Sequence, residues 1–304
     1  MPTESELRKI YEKKVNFIDH SLMLFDDDIL ILQKELLNFL ITGLVSELDT
    51  NNGIILLNER NARLLATFDK EMALFKEQFS NSVFKRLGEK MLKSTSYTSD
   101  YFRKMTSAKV IANIQDKITN VTAIVGVKPD GSLVKGGFID KLAGSETLKA
   151  ELSNYIRKSI ESEVSLKPFI KGFEEIVVGN KDVKGNYERY VRGFAHDAFF
   201  AQSQQQDNFF ADQLGLDYFV YEGTKIKSSR PFCVGGKDKL ADKEFTSKLN
   251  QVFSRKDAAQ FDNEDWEGKI PDIKFIVQKG GYQCRHNLRW ITKDLAQQLG
   301  YDTK

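Results

Sequence analysis

The sequence predicts an α+β protein, mainly α, in which an elongated helical N-terminal body is followed by a small α+β C-terminal module. Three observations carry this. Through the first 180 residues apolar side chains recur at steps of three and four, the period of helices with one buried face. A polar, glycine-containing break runs from Gly179-Asn180 to Gly185-Asn186. Beyond it, a β-forming stretch and three short islands rich in Gly, aromatic, Cys and His replace the helical pattern. The expected domains are therefore 1–180 and 187–304.

The first helix opens with Thr3 and Glu6 at capping-box spacing and continues through Leu7, Ile10, Tyr11, Lys14, Phe17 and Ile18. Asp26-Asp27-Asp28 suits a second helix N-terminus, running through Ile29, Leu32, Leu36, Phe39 and Leu40. After the turn signal Asn51-Asn52-Gly53 comes the strongest periodicity in the chain. Leu65, Phe68, Met72, Phe75, Phe79, Val83, Leu87 and Met91 predict one long helix over 58–94 with an aromatic core face. Ser99 and Asp100 can cap a further helix carrying Phe102, Met105, Ile111, Ile114 and Ile118. The β-branched stretch Val121 to Val127, closed by Pro129-Asp130-Gly131, reads as a strand or extended arm. Ser145 caps a helix through Leu148, Leu152, Ile156 and Ile160, and Lys167-Pro168 opens another. From Tyr187 a helix runs to Leu214, with Gln202 to Gln206 expected as a solvated face and Gly215 as the stop.

In the C-terminal module, Leu216 to Tyr221 predicts a strand, Asp242 to Val252 a helix, and Leu288, Ile291, Leu295 and Leu299 a final helix. His196 and His20 fall on helices.

Composition bounds the function. The 45 Lys+Arg nearly balance the 43 Asp+Glu, which excludes a strongly charged tail or a uniformly basic nucleic-acid binder. The distribution is uneven: residues 1–50 hold 5 basic and 10 acidic side chains, residues 51–150 hold 16 and 10. That basic stretch lacks interleaved aromatic residues, so a solvated helix surface is favoured over a phosphate-binding face. No basic leader with an apolar stretch opens the chain, and the longest aliphatic run, Ile54-Ile55-Leu56-Leu57, is far shorter than a membrane span; a cytosolic protein without a membrane partner is expected. Two cysteines do not make a disulfide framework. The Gly-rich stretch at Gly131 to Gly137 has neither phosphate-loop nor dinucleotide-binding spacing, and no small-molecule substrate is expected.

The chemistry-bearing residues are Cys233, Cys284 and His286. In an extended backbone Cys284 and His286 share one face while Arg285 points away. Thiolate and neutral imidazole suit zinc, and Cys233 can supply a third ligand from the preceding lobe. Candidates for the fourth are His196, Asp238 or water. Two readings without metal stand beside this one: buried free thiols with a hydrogen-bonded histidine, and a Cys233–Cys284 disulfide.

Arg230-Pro231-Phe232-Cys233, then Trp266-x-Gly268, then Gly280-Gly281-Tyr282-x-Cys284-Arg285-His286, in that order after a strand, resembles the C-terminal domain of the phage Mu F-like minor head proteins, also called head morphogenesis proteins. The resemblance covers about residues 187–304. It implies a virion component of a tailed bacteriophage or prophage, associated with the portal and other capsid proteins inside the head. Its implied roles are head morphogenesis and DNA packaging or delivery, with packaged DNA as a further contact and the host cytoplasm as the place of assembly. It also implies that Cys233, Cys284 and His286 are potential metal chelators. The family pattern leads us to expect an acidic residue shortly before Arg230, where this chain has Lys225, Lys227 and two serines, which argues against a carboxylate working beside the metal. No His-Asp-Ser set, paired carboxylates or zincin helix accompanies the site, so a non-enzymatic protein is expected; the alternative is a metal-dependent nuclease or transferase using the Cys/Cys/His site.

Overall fold

The computed structural model describes residues 2–303, with the side chains of residues 115, 116, 119, 120 and 121 outside that description. Long helices dominate and the β-structure is concentrated after residue 217, so the protein is α+β and mainly α.

The chain forms two compact units, each assembled from separate stretches: 1–19, 91–124 and 196–304 in one, and 20–90 and 125–195 in the other. This partition differs from the boundary drawn at the polar break of 179–186, which lies inside the second unit. There Asn180 turns the chain, its side chain accepting the N–H groups of Asp182 and Val183, and Gly179 bridges back to Lys184.

The two expected N-terminal helices are one element, which runs from the first unit into the second. α1 runs unbroken over Glu4–Gly43, and Asp26 and Asp28 sit mid-helix because Arg192 and Arg86 meet their carboxylates at 2.8 and 2.9 Å. The helical run Glu4–Glu47 is long and apolar enough to cross a bilayer, a property shared by core helices; its Ile29, Leu32, Leu36 and Leu40 are buried. A two-stranded hairpin, β1 (Thr50–Asn51) and β2 (Ile54–Ile55), follows. α2 (Glu59–Phe75) passes through a π-helical turn at Lys76–Ser80 into α3 (Asn81–Arg103), so the predicted helix over 58–94 continues nine residues further. Ser99 is therefore interior, its hydroxyl donating to the Thr95 carbonyl. The aromatic face is core: Phe39, Phe75 and Phe79 pack within 5.1–6.2 Å of one another. α4 (Ala108–Ile124), which belongs to the first unit, includes most of the stretch read as a strand, and of that stretch only Val127 pairs, in an isolated bridge to Leu133 in the second unit. α5 (Phe138–Gly144), α6 (Glu146–Glu161) and α7 (Leu166–Val177) complete this unit with a π-helical turn at Tyr187–Val191. Ser145 precedes α6 in a left-handed conformation and makes no side-chain cap.

The first unit is built on α8 (Arg192–Gln213) and a three-stranded antiparallel sheet. The central strand β3 (Tyr218–Glu222) pairs with β6 (Gln251–Ser254) on one side and β7 (Asn287–Ile291) on the other, with Phe219 opposite Phe253 and Trp290. The first turns of α1 and the end of α3 cover this sheet: Tyr101 donates to the Trp290 carbonyl at 2.6 Å, and Phe102 stacks on Phe210 at 5.0 Å. α8 is buried nearly all round. Gln202, Ser203, Gln204 and Gln206, expected to be solvated, are among its most buried residues, with Gln204 accepting the Leu288 N–H and Gln206 donating to Thr95.

Two expected helices are strands. Residues 242–252 form β5 (Lys243–Ser247), paired with β4 (Gly235–Asp238), and the start of β6; Phe245 turns inward onto Phe232 while Glu244 and Thr246 face outward. Leu288 and Ile291 belong to β7, every residue of which is buried, and only Lys293–Gln298 (α12) is helical, capped by Thr292. Three short helices complete the unit: α9 (Pro231–Val234), α10 (Arg255–Phe261) and α11 (Phe275–Gln278).

Candidate metal centre

Three separated segments meet at one point of the first unit. Pro231 starts the single turn α9, which carries Phe232 inward and leaves Cys233 at its end. Phe232 stacks on Trp266 at 3.9 Å, and the Trp266 indole N–H donates to the Gly280 carbonyl at 3.1 Å, tying the second island to the third. Lys248 closes this stack from the other side, donating to the Phe232 carbonyl at 3.1 Å with its ammonium 3.8 Å from the ring centre.

The glycines of these islands mark places where the segments touch. A Cβ on Gly268 would lie 2.3 Å from the Arg230 Nε. One on Gly280 would lie 2.3 Å from the Cys233 sulfur and 3.0 Å from that of Cys284. Gly280 is thus the floor on which both thiols rest. The Cys284 N–H donates to the Gly281 carbonyl at 3.1 Å, a tight turn that sets the Cys284 side chain toward Cys233.

Cys233, Cys284 and His286 converge: their ligand atoms all lie within 4.8 Å of one another and all three residues are buried. The Cys284 sulfur is 3.5 Å from His286 Nδ1. Both cysteines are free thiols. Arg285, between Cys284 and His286, is exposed, as is Tyr282. The thiol–thiol contact splits the pair, holding Cys284 below the usual thiol range, where His286 and Lys279 also favour the thiolate, and pushing Cys233 above it.

The other two residues considered as ligands are engaged elsewhere. The Asp238 carboxylate accepts the N–H groups of Leu240, Ala241 and Glu267 at 3.0, 3.1 and 3.0 Å. Burial opposes its charge, yet these amides hold its carboxyl below the ordinary range. It fastens the loop after β4 to the Trp266 island. His196 lies on α8, and its ring is not among the ligand atoms that converge with the two sulfurs and His286. Asp238→Asn is expected to lower unfolding free energy by about 1.5–3 kcal/mol, the value of hydrogen bonds to a charged group. A carboxyl with a depressed folded pKa contributes stability above its unfolded pKa and loses it as pH falls through the folded one. The gap between wild type and variant in denaturant titrations should therefore close toward acid.

The residues fit a zinc ion on chemical grounds. Two sulfurs and an imidazole nitrogen point into one solvent-excluded spot, and the side chain that would fill it is missing at Gly280. A metal here would add cross-links between α9, the Gly280 turn and the start of β7. A cleft of about 980 Å³ elsewhere in this unit is lined by Leu240, Lys243, Trp266, Lys269 and Ile273 and includes none of the three donors.

Several basic side chains of 51–150 pair with acids of their own unit: Lys76 with Asp140, Arg86 with Asp28, Lys149 with Asp69 and Arg103 with Asp100. Compared with known protein families, curated proteins and solved structures, the chain matches none of them.

Proposed function

We propose that this chain is a minor head protein of a tailed bacteriophage or prophage, associating with the portal and other capsid proteins inside the head, with a structural metal, zinc, held by Cys233, Cys284 and His286. The observation that supports it most is the convergence of Arg230–Cys233, Trp266–Gly268 and Gly280–His286, the segments that carry the resemblance, into one buried knot. Such a knot makes the module a rigid unit whose outer surface is free for protein contacts. In virions it would reside in the head, with packaged DNA as a further contact.

A hydrolytic or transferase reading needs a metal position that substrate can reach. Burial of all three donors speaks against that.

Co-expression with portal and capsid genes from the same genome tests the proposal. Purified heads are expected to contain this chain, and the isolated protein is expected to cosediment with portal rings. Absence from heads together with no portal association would overturn it. Metal-dependent cleavage or transfer activity lost in Cys284→Ala would instead establish the enzymatic reading.

A further inference from the structure

The phenol of Tyr221 stands at the centre of the same site. Its hydroxyl is 3.1 Å from the Cys233 sulfur and 3.7 Å from the Cys284 sulfur, and its ring lies 5.4 Å from that of His286. Tyr221 is fully buried on the central strand, with Phe275 stacked on it, so the hydroxyl position is set by the sheet. Metal–ligand distances of about 2.0–2.3 Å give tetrahedral edges of about 3.3–3.8 Å. The separations around Tyr221, and the 3.5 Å between Cys284 and His286, are close to such edges.

A second observation is independent of these distances. Lys279 is buried, its ammonium has no hydrogen-bond acceptor, and it lies over the Phe200 ring. Its backbone has φ of +55°, a region that favours glycine, yet a lysine stands there. Burial pushes its ammonium below the usual lysine range, and the groups that oppose this are Cys284 first, then Asp207 and Asp197; Asp207 is bound to Lys14 and Tyr11, and Asp197 accepts the Gln283 N–H. A buried cation with this placement calls for net negative charge on the thiol side.

We propose that Tyr221 is the fourth metal ligand, as phenolate, and that Lys279 neutralises the resulting Cys233, Cys284, His286 and Tyr221 centre. A divalent cation with two thiolates and one phenolate carries one negative charge, which the Lys279 ammonium cancels. A bound divalent ion is the largest local charge and deprotonates the groups that coordinate it. The phenol proton leaves to solvent with the thiol protons as metal enters.

This inference rests on the metal-site reading above, and the experiment separates the two. Full-length protein stripped with chelator is titrated with Zn²⁺ while metal content, released protons and ultraviolet difference absorbance are followed. Wild type is expected to take up one ion, develop a phenolate band and release one proton more than Tyr221→Phe, which keeps the ring packing. Tyr221→Phe should bind Zn²⁺ at least ~10-fold more weakly, the loss seen even for outer-shell partners. Lys279→Met should weaken binding in the wild-type background and have little effect in Tyr221→Phe, where the centre is already neutral. Zinc uptake without a phenolate band and with equal proton release would overturn the role of Tyr221 while leaving the three-residue site. Failure of wild type to take up zinc would overturn both.

Discussion

Replacing Asp207 by alanine is expected to cost about 3–5 kcal/mol of unfolding free energy, the loss typical when one partner of a buried ion pair is removed. Asp207 accepts the Lys14 ammonium at 2.6 Å and the Tyr11 hydroxyl at 3.0 Å, and both charged side chains are almost fully inaccessible. Burial works against each charge, raising the Asp207 carboxyl and lowering the Lys14 ammonium; their contact is what offsets it. Without the carboxylate, Lys14 is left buried with only the Ser203 carbonyl, at 3.5 Å. Tyr11 keeps a long bond to the Leu288 carbonyl, so the lysine carries most of the loss. The pair joins α1 to α8 within the first unit, which predicts a specific pattern. Lys14→Met with Asp207→Leu together should be far less damaging than Asp207→Ala alone, because removing both charges leaves neither stranded. Guanidinium titrations of wild type, Asp207→Ala, the double variant and its two single components check this, and additive single-site losses would contradict it.

Much of this unit is hard to read from sequence because its buried parts carry polar residues and its strands lack alternation. β7 is buried on both faces, so Leu288, Arg289, Trp290 and Ile291 show no period of two; with Leu295 they imitate helical spacing. Arg289 enters such a strand because Glu4 and Glu222 meet its guanidinium at 2.5 and 2.8 Å. The glutamines of α8 look solvated but lie in the core against Thr95 and Leu288. Asp26 to Asp28 resemble a helix start because the sequence does not reveal Arg86 and Arg192 as their partners. The N-terminal periodicities, by contrast, mark helices, since one buried face suffices to set them. At the candidate site, Cys233, Cys284 and His286 stand out in the sequence, as do the glycines around them. Tyr221 reads only as a strand former and Lys279 only as a residue before Gly-Gly; no local signal marks either, because the role proposed for them depends on β3 and the Gly280 turn meeting in space.

Gly281→Ala is the other substitution with a large expected effect, and it tests how the islands are held together. Gly281 has φ of +91°, and a Cβ there would come within 1.8 Å of the Gly268 carbonyl oxygen. That same carbonyl accepts the Tyr282 N–H at 3.0 Å, so neither segment can retreat without breaking the contact that joins the Trp266 island to the Cys284 turn. The backbone term is about 1–3 kcal/mol and forced overpacking adds about 1–3 kcal/mol. Together they consume a large part of the about 5–15 kcal/mol that keeps a domain folded. Gly215→Ala is the control: it also has positive φ, +62°, but its Cβ would meet nothing within 4 Å. The difference between the two midpoints at equal m-value therefore isolates the close approach. Because Cys284 is hydrogen-bonded to the Gly281 carbonyl, the alanine should also lower zinc affinity, which the control should leave unchanged. Equal stability loss in both variants would mean that the Gly268 contact yields at little cost, and that the islands are held chiefly by the Phe232–Trp266 stack.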